Sequence, residues 1–158
     1  MYPDMFFLFR GKDCTWVDIP AFFEVMEKIT AIENIAVDTD FDILERSYML
    51  CSSGDLIIAR HTSLADEAYA YGKQVIVHDY SHNTNRILGG VFNYLDSGLF
   101  VQNKESLHKL VANYIFSGSV INPIVYESVR QKLFGNYSDG KVRERIQAIV
   151  EGMLVEAD

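Results

Sequence analysis

Cysteine is scarce in this chain, with only Cys14 and Cys51 among 158 residues. Neither stands in a C-x-x-C spacing, so a disulfide framework is not indicated. The pair reads as reduced, structural thiols of a cytosolic protein. Basic residues are outnumbered, 14 Lys and Arg against 22 Asp and Glu, for a formal net charge of −8. No Lys/Arg run occurs. A phosphate backbone demands a basic footprint, which argues against a DNA- or RNA-coating role. Local basic groups can still hold one small phosphate ligand. Long apolar runs are also missing. The amino-terminal MYPDMFFLFRGKD has too short an apolar run for a signal peptide. No segment reaches the roughly 20 apolar residues that a membrane span requires, so no integral membrane segment is expected.

Common cofactor signatures are lacking as well. There is no G-x-G-x-x-G for a dinucleotide and no G-x-x-x-x-G-K-[ST] for a nucleoside triphosphate. A phosphoacceptor receiver needs Asp at the end of its third strand, where this chain has Ala59-Arg60, and no hydroxyl-rich loop of the flavin type follows the first strand. His61, His78, His82 and His108 show no paired metal spacing. No cofactor or metal is expected.

What is present is alternation. Hydrophobic residues make up 49% of the chain and charged residues 23%, which is ordinary globular composition with enough length for one core. Apolar runs at 5–9, 34–37, Leu56–Ala59, 75–78 and 99–101 predict strands. Helical spacing predicts helices at 16–32, 41–50, 64–71, 84–95 and 106–116. In the first helix Ile19, Phe22, Phe23, Met26 and Ile29 share a face, with Pro20 acceptable in the first turn. Gly89 and Gly90 weaken the helix at 84–95. Two further helices follow at 124–134 and Val142–Val155. The last carries a stripe of Val142, Ile146, Ile149, Val150, Met153 and Leu154, read as a packing face.

This β-α alternation predicts an α/β fold, a three-layer doubly wound (Rossmann-like or flavodoxin-like) arrangement. The parallel sheet would have five strands in the order 2-1-3-4-5, with two extra C-terminal helices. The uniformly apolar strands fit a sheet buried on both faces. No repeat or linker appears. Residues 1–120 are expected to form the ligand-binding part, with the helices of 121–158 packed on the same domain.

Ligands of such sheets sit outside the carboxyl ends of the strands. There the chain places Arg10-Gly11-Lys12-Asp13, Arg60-His61-Thr62-Ser63 and Asp79-Tyr80-Ser81-His82-Asn83. The helix start near Ser63 offers an anion site, to which Thr62 and Ser63 add hydroxyls and Arg60, Arg10 and Lys12 add charge. Ser63-x-x-Asp66 also reads as a capping box. Glu67 then either accepts a ribose diol or complements the helix dipole. His82 beside Asp79 is a general base or a loop-ordering group. His61 stabilises its loop or faces a ligand, since no nucleophile elbow accompanies it.

The stretch from Asp55 to Ile76 resembles the donor-binding half of GT-B glycosyltransferases of bacterial surface and capsular polysaccharide synthesis. The likeness lies in strand Asp55-to-Ala59, Thr62-Ser63, Glu67-Ala68 and Gly72-Lys73-Gln74-Val75-Ile76. The element order extends it over roughly residues 5–116. Gln74 replaces the family's usual Pro, and Ala59 stands where the first Glu of its E-x₇-E motif would be. The resemblance implies a cytoplasmic Rossmann-like domain, with peripheral attachment at the inner membrane face left open. It would bind a UDP-, CDP- or GDP-linked sugar, with Thr62 and Ser63 near the phosphates, Glu67 on the ribose, and Arg10 and Lys12 neutralising the diphosphate. Arg60, His61, Asp79, His82 and Asn83 complete the expected substrate-binding set.

By that likeness the chain starts at the second strand of the domain and lacks the acceptor-binding domain. It is therefore expected to be inactive alone and to need that domain or subunit as partner. A homodimer is left open. The alternative is a non-catalytic flavodoxin-like module that binds a nucleotide or a protein, with the stripe of the last helix as its interface.

Overall fold

The structure is a computed structural model that describes residues 4–11, 15–40, 45–60, 62–80, 94, 97–135 and 139–155. It divides into two compact units, Met1–Ser47 and Tyr48–Asp158, the boundary falling inside a helix.

In the first unit β1 (Phe7–Arg10) and β2 (Ile35–Asp38) pair in parallel, with Phe7 opposite Ile35 and Arg10 opposite Asp38. A 3-10 turn, Thr15–Asp18, and α1 (Pro20–Thr30) connect them. Pro20 opens α1, where its missing N–H leaves no intrahelical bond unmade. No described apolar side chain of this unit is fully buried. Met26 and Ile29 are half-buried, but Phe22 and Phe23 on the same predicted face stay exposed. Leu8 and Phe9 are 42% and 48% exposed, so β1 lacks the two-sided cover that its apolar run predicts. The single tryptophan, Trp16, packs edge-on against Phe9 at 5.4 Å between ring centroids. Its indole lies on Gly11, where a Cβ would come within 2.0 Å of Nε1. Only glycine admits that approach.

α2 (Arg46–Ser53) spans the boundary between the units. The second unit continues with β3 (Leu56–Ala59), α3 (Ser63–Ala70), β4 (Gln74–His78), β5 (Phe100–Val101), α4 (Lys104–Ser117), α5 (Pro123–Phe134) and α6 (Val142–Val155). Its sheet is parallel in the order β3-β4-β5. Successive strand residues point to opposite faces, and Val75, Ile76 and Val77 are all buried, so β4 is covered on both sides. α3 packs on β3 and β4, α4 on β4 and β5, and α5 on α3.

Local chemistry sets the helix ends. The Asn103 side chain caps α4 by accepting from the Ser106 N–H at 2.8 Å, and α4 ends at Gly118 in the left-handed region (φ 72°). Asn122 caps α5, with Pro123 in its first turn. The Lys73 ammonium donates to the carbonyls of Ser52 (2.5 Å) and Gly54 (3.0 Å), closing the carboxyl end of α2.

Aromatic residues fill the centre of this unit. Tyr69 is fully buried, with its ring 4.7 Å from Tyr126, 5.7 Å from Phe134 and 5.9 Å from Tyr94. Its hydroxyl donates to the Tyr126 carbonyl at 2.8 Å. The Tyr126 hydroxyl donates to the Lys73 carbonyl and accepts from the Val75 N–H at 3.1 Å. These phenols are buried only because each finds a partner.

The fold is thus α/β with parallel strands, but the single five-stranded sheet does not form. The described strands make one sheet of two, β1-β2, and one of three, β3-β4-β5. A crossover helix ties β1 to β2 and another ties β3 to β4. Joining the two sheets needs a β1–β3 pairing of long sequence separation, whose closure cost no local pattern reports. The described residues of the α6 stripe are also largely uncovered. Val142, Ile146, Ile149 and Val150 are between 49% and 60% exposed. Of the helix predicted at 84–95, only Tyr94 lies among the described residues. No described helix is long and apolar enough to cross a membrane.

Candidate functional site

Two strands of the second unit empty onto one rim. β3 ends at Ala59 and is followed by Arg60. β4, paired beside it, ends at His78 and is followed by Asp79 and Tyr80. The Arg60 guanidinium Nη2 donates to Asp79 Oδ1 at 3.4 Å. The Asp79 side chain is nearly buried, and its backbone N–H donates to the Val101 carbonyl at 3.0 Å. The Arg60 side chain is 64% exposed, so this long ion pair leaves most of the guanidinium facing solvent.

His78, the last residue of β4, feels both of these charges. Its ring stacks on Tyr80 at 4.9 Å, as residues two apart on extended backbone share a face. Its Nδ1 is buried with no hydrogen-bond partner among the described residues. Burial first, then the Arg60 charge, lower its pKa against the opposing pull of Asp79. The ring is therefore mostly neutral at pH 7 and takes up its proton at a lower pH than an ordinary imidazole does.

The start of α3 borders the same rim. Thr62 is its N-cap: Oγ1 accepts from the Leu64 N–H at 3.3 Å. The capping box therefore does not form as the spacing predicts. Ser63 is the first helical residue and is exposed, and Asp66 instead accepts from the Tyr94 hydroxyl at 2.6 Å. The cap shifts because Thr62, not Ser63, has the extended backbone that a cap needs (φ −161°, ψ 136°). Glu67, a turn further on, is exposed on the side of α3 away from buried Ala65, Ala68 and Tyr69. Its charge reaches the half-buried, free Cys51. Burial first and Glu67 second push that thiol up, so it stays protonated at neutral pH.

Arg10 belongs to the first unit and is engaged there. Its guanidinium pairs with Asp38, donates to the Asp40 carbonyl at 2.7 Å, and reaches Ser47 Oγ from Nε at 3.1 Å. Asp38 is buried and also receives Arg46 Nε at 3.0 Å on each carboxylate oxygen. The Arg46 hydrogen bond chiefly, with the Asp40 N–H and Arg10 behind it, holds the Asp38 carboxyl below its ordinary range despite burial.

Of the residues predicted from the sequence, Arg60, Thr62, Ser63 and Asp79 thus fall at the carboxyl rim of β3 and β4. Glu67 lies further along α3, and Arg10 is tied to Asp38. Lys12, His61, His82 and Asn83 lie outside the described residues. Two chemically committed residues, His78 and Asp38, escape a search for spacings. Each is the last residue of an apolar strand (QVIVH and IAVD), and a polar residue closing a buried run is the signal that marks them. No family model, curated protein or solved structure matches this chain.

Proposed function

We propose that the chain is the donor-binding half of a glycosyltransferase. It would hold a nucleotide-diphosphate sugar and, with an acceptor-binding domain or subunit, transfer the sugar to a growing cell-surface polysaccharide on the cytoplasmic side of the membrane. The observation that carries this reading is the exposed Arg60 guanidinium beside the Thr62-capped start of α3, at the carboxyl ends of two parallel strands. The helix start and the guanidinium both favour an anion, and a diphosphate offers paired oxygens that the planar guanidinium can take up bidentately. Asp79 orients Arg60 without neutralising it fully. The exposed hydroxyls of Thr62 and Ser63 add donors, and exposed Glu67 is open to a ribose diol. The chemical contribution is electrostatic stabilisation of the departing diphosphate. Arg10, engaged by Asp38, serves as scaffold in this reading, and Lys12, His61, His82 and Asn83 belong to it by sequence position alone.

Calorimetry with UDP, CDP and GDP at millimolar concentration tests the proposal. One of the three should bind. Arg60→Ala and Glu67→Ala should each weaken that binding by about 1–3 kcal/mol, as loss of a charged hydrogen-bond partner does. Silence from all three nucleotides rejects the donor site, and unchanged affinity in Glu67→Ala removes the ribose role alone.

The open stripe of α6 favours a second reading, a non-catalytic module that binds a protein partner. Such a module would leave the nucleotide panel unbound while polar substitution at Ile146 and Ile149 abolished complex formation.

A further inference from the structure

At the other end of β4, about 13 Å along the strand from His78 at the usual rise per residue, lies a hollow of about 290 Å³. Its walls are the Gly72 turn, Gln74, the α4–α5 connection at Gly118 and Ser119, and Glu127 and Arg130 of α5. The volume is at the small end for ligand sites, the size of one sugar ring rather than a nucleotide.

The lining mixes polar and apolar surface and is electrically balanced. Glu127 accepts from Arg130 Nη2 at 2.6 Å and Nε at 2.8 Å, and from Gln131 Nε2 at 2.9 Å. Arg130 chiefly, then Gln131, hold its carboxyl down at about 2. Arg130 also donates to the Ala70 carbonyl at 3.0 Å, which ties α5 to the end of α3. One negative and one positive charge cancel, so neither an anion nor a cation is favoured.

Two groups keep hydrogen-bonding capacity. Gln74 gives its Oε1 to the Val120 N–H (3.0 Å) and the Ser119 hydroxyl (3.4 Å), which leaves its Nε2 donors without a partner among the described residues. The Glu127 carboxylate has about four acceptor positions, of which three are used. A ligand that donates to one group and accepts from the other, without charge, is a hydroxyl-bearing one. Gly72 and Gly118, both at positive φ, meet nothing within 4 Å where a Cβ would stand, so no side chain fills the opening.

We propose that this hollow is a binding site for a single neutral sugar unit, separate from the rim of β3 and β4 and independent of the donor reading. The test is calorimetry or saturation-transfer NMR on the full chain. The probes are glucose, galactose and N-acetylglucosamine, with glucuronate and glucosamine as charged comparators. At least one neutral sugar should bind with millimolar affinity, more tightly than either charged one. Gly118→Asn, whose residue tolerates the left-handed backbone and projects a side chain into the opening, should weaken it about tenfold with no change in Tm. Glu127→Gln, at an exposed position, should weaken it likewise and serves if Gly118→Asn does not fold. Arg60→Ala should leave it unaltered, and Gly118→Asn should leave any nucleotide binding unaltered, so the two sites fail or stand separately. The proposal is overturned by absence of neutral-sugar binding, by tighter binding of a charged sugar, or by full affinity in a folded blocking variant.

Discussion

Tyr69→Ala should destabilise the second unit by about 3–5 kcal/mol, the range for deleting a large buried aromatic. The side chain is fully buried and touches three other rings, and its hydroxyl is satisfied by the Tyr126 carbonyl. Truncation leaves a void between α3 and α5 that those neighbours cannot close, because Tyr126 is pinned to the start of β4 by its own hydroxyl. Tyr69→Phe keeps the packing and loses one hydrogen bond, about 1 kcal/mol. Urea titration should show the midpoint falling in that order with an unchanged slope. Equal midpoints for the two variants would mean that ring packing does not hold α5 in place.

Asp38→Asn should cost the first unit about 2–4 kcal/mol. Two guanidinium groups converge on Asp38, and the Arg10 side chain is only 15% exposed, so it is left as a poorly solvated charge. The cost stays below that of breaking a fully buried pair because Arg46 is 37% exposed. The pH dependence has a definite direction. Folding lowers the Asp38 pKa from its ordinary 3.8, so the native state releases this proton more readily than the unfolded chain. The stabilisation is complete above that ordinary value and disappears as pH falls through the lower, folded one. Trp16 is the only tryptophan and lies in this unit, so its emission reports the loss directly. The wild type should hold its emission well below neutrality and lose it in acid, while Asp38→Asn should already show the loosened signal at pH 7. An identical acid profile in the two proteins would show that the carboxylate does not support the unit.

Much of the local structure can be read directly from the residues. Leu56–Ala59 forms the strand that its apolar run predicts, because four aliphatic side chains between Gly54-Asp55 and a polar loop have one economical conformation. Gln74–His78 is central and covered on both faces, as unalternating Val75-Ile76-Val77 requires. Longer-range relations escape such reading. The same apolar signal in Phe7–Arg10 accompanies exposed Leu8 and Phe9, since hydrophobicity records a tendency to be covered and not what does the covering. The rim residues show the same division. Placement of Arg60 and Asp79 at strand ends follows from strand boundaries, but their pairing at 3.4 Å depends on β3–β4 register. The shift of the α3 cap to Thr62 turns on backbone angles, and Ser63 would have capped equally well by composition. Arg10 illustrates the converse. Its partner Asp38 is 28 residues away, so nothing beside Arg10 marks it as occupied.

The hydroxyl of Tyr126 grips backbone on either side of Gln74, at the Lys73 carbonyl and the Val75 amide. That amide cannot meet solvent until α5 lifts away, so its deuterium uptake becomes a clock for that single opening event. Val75 should exchange at the rate at which α5 undocks, and Tyr126→Phe should quicken that one proton far more than amides at the far end of the strand.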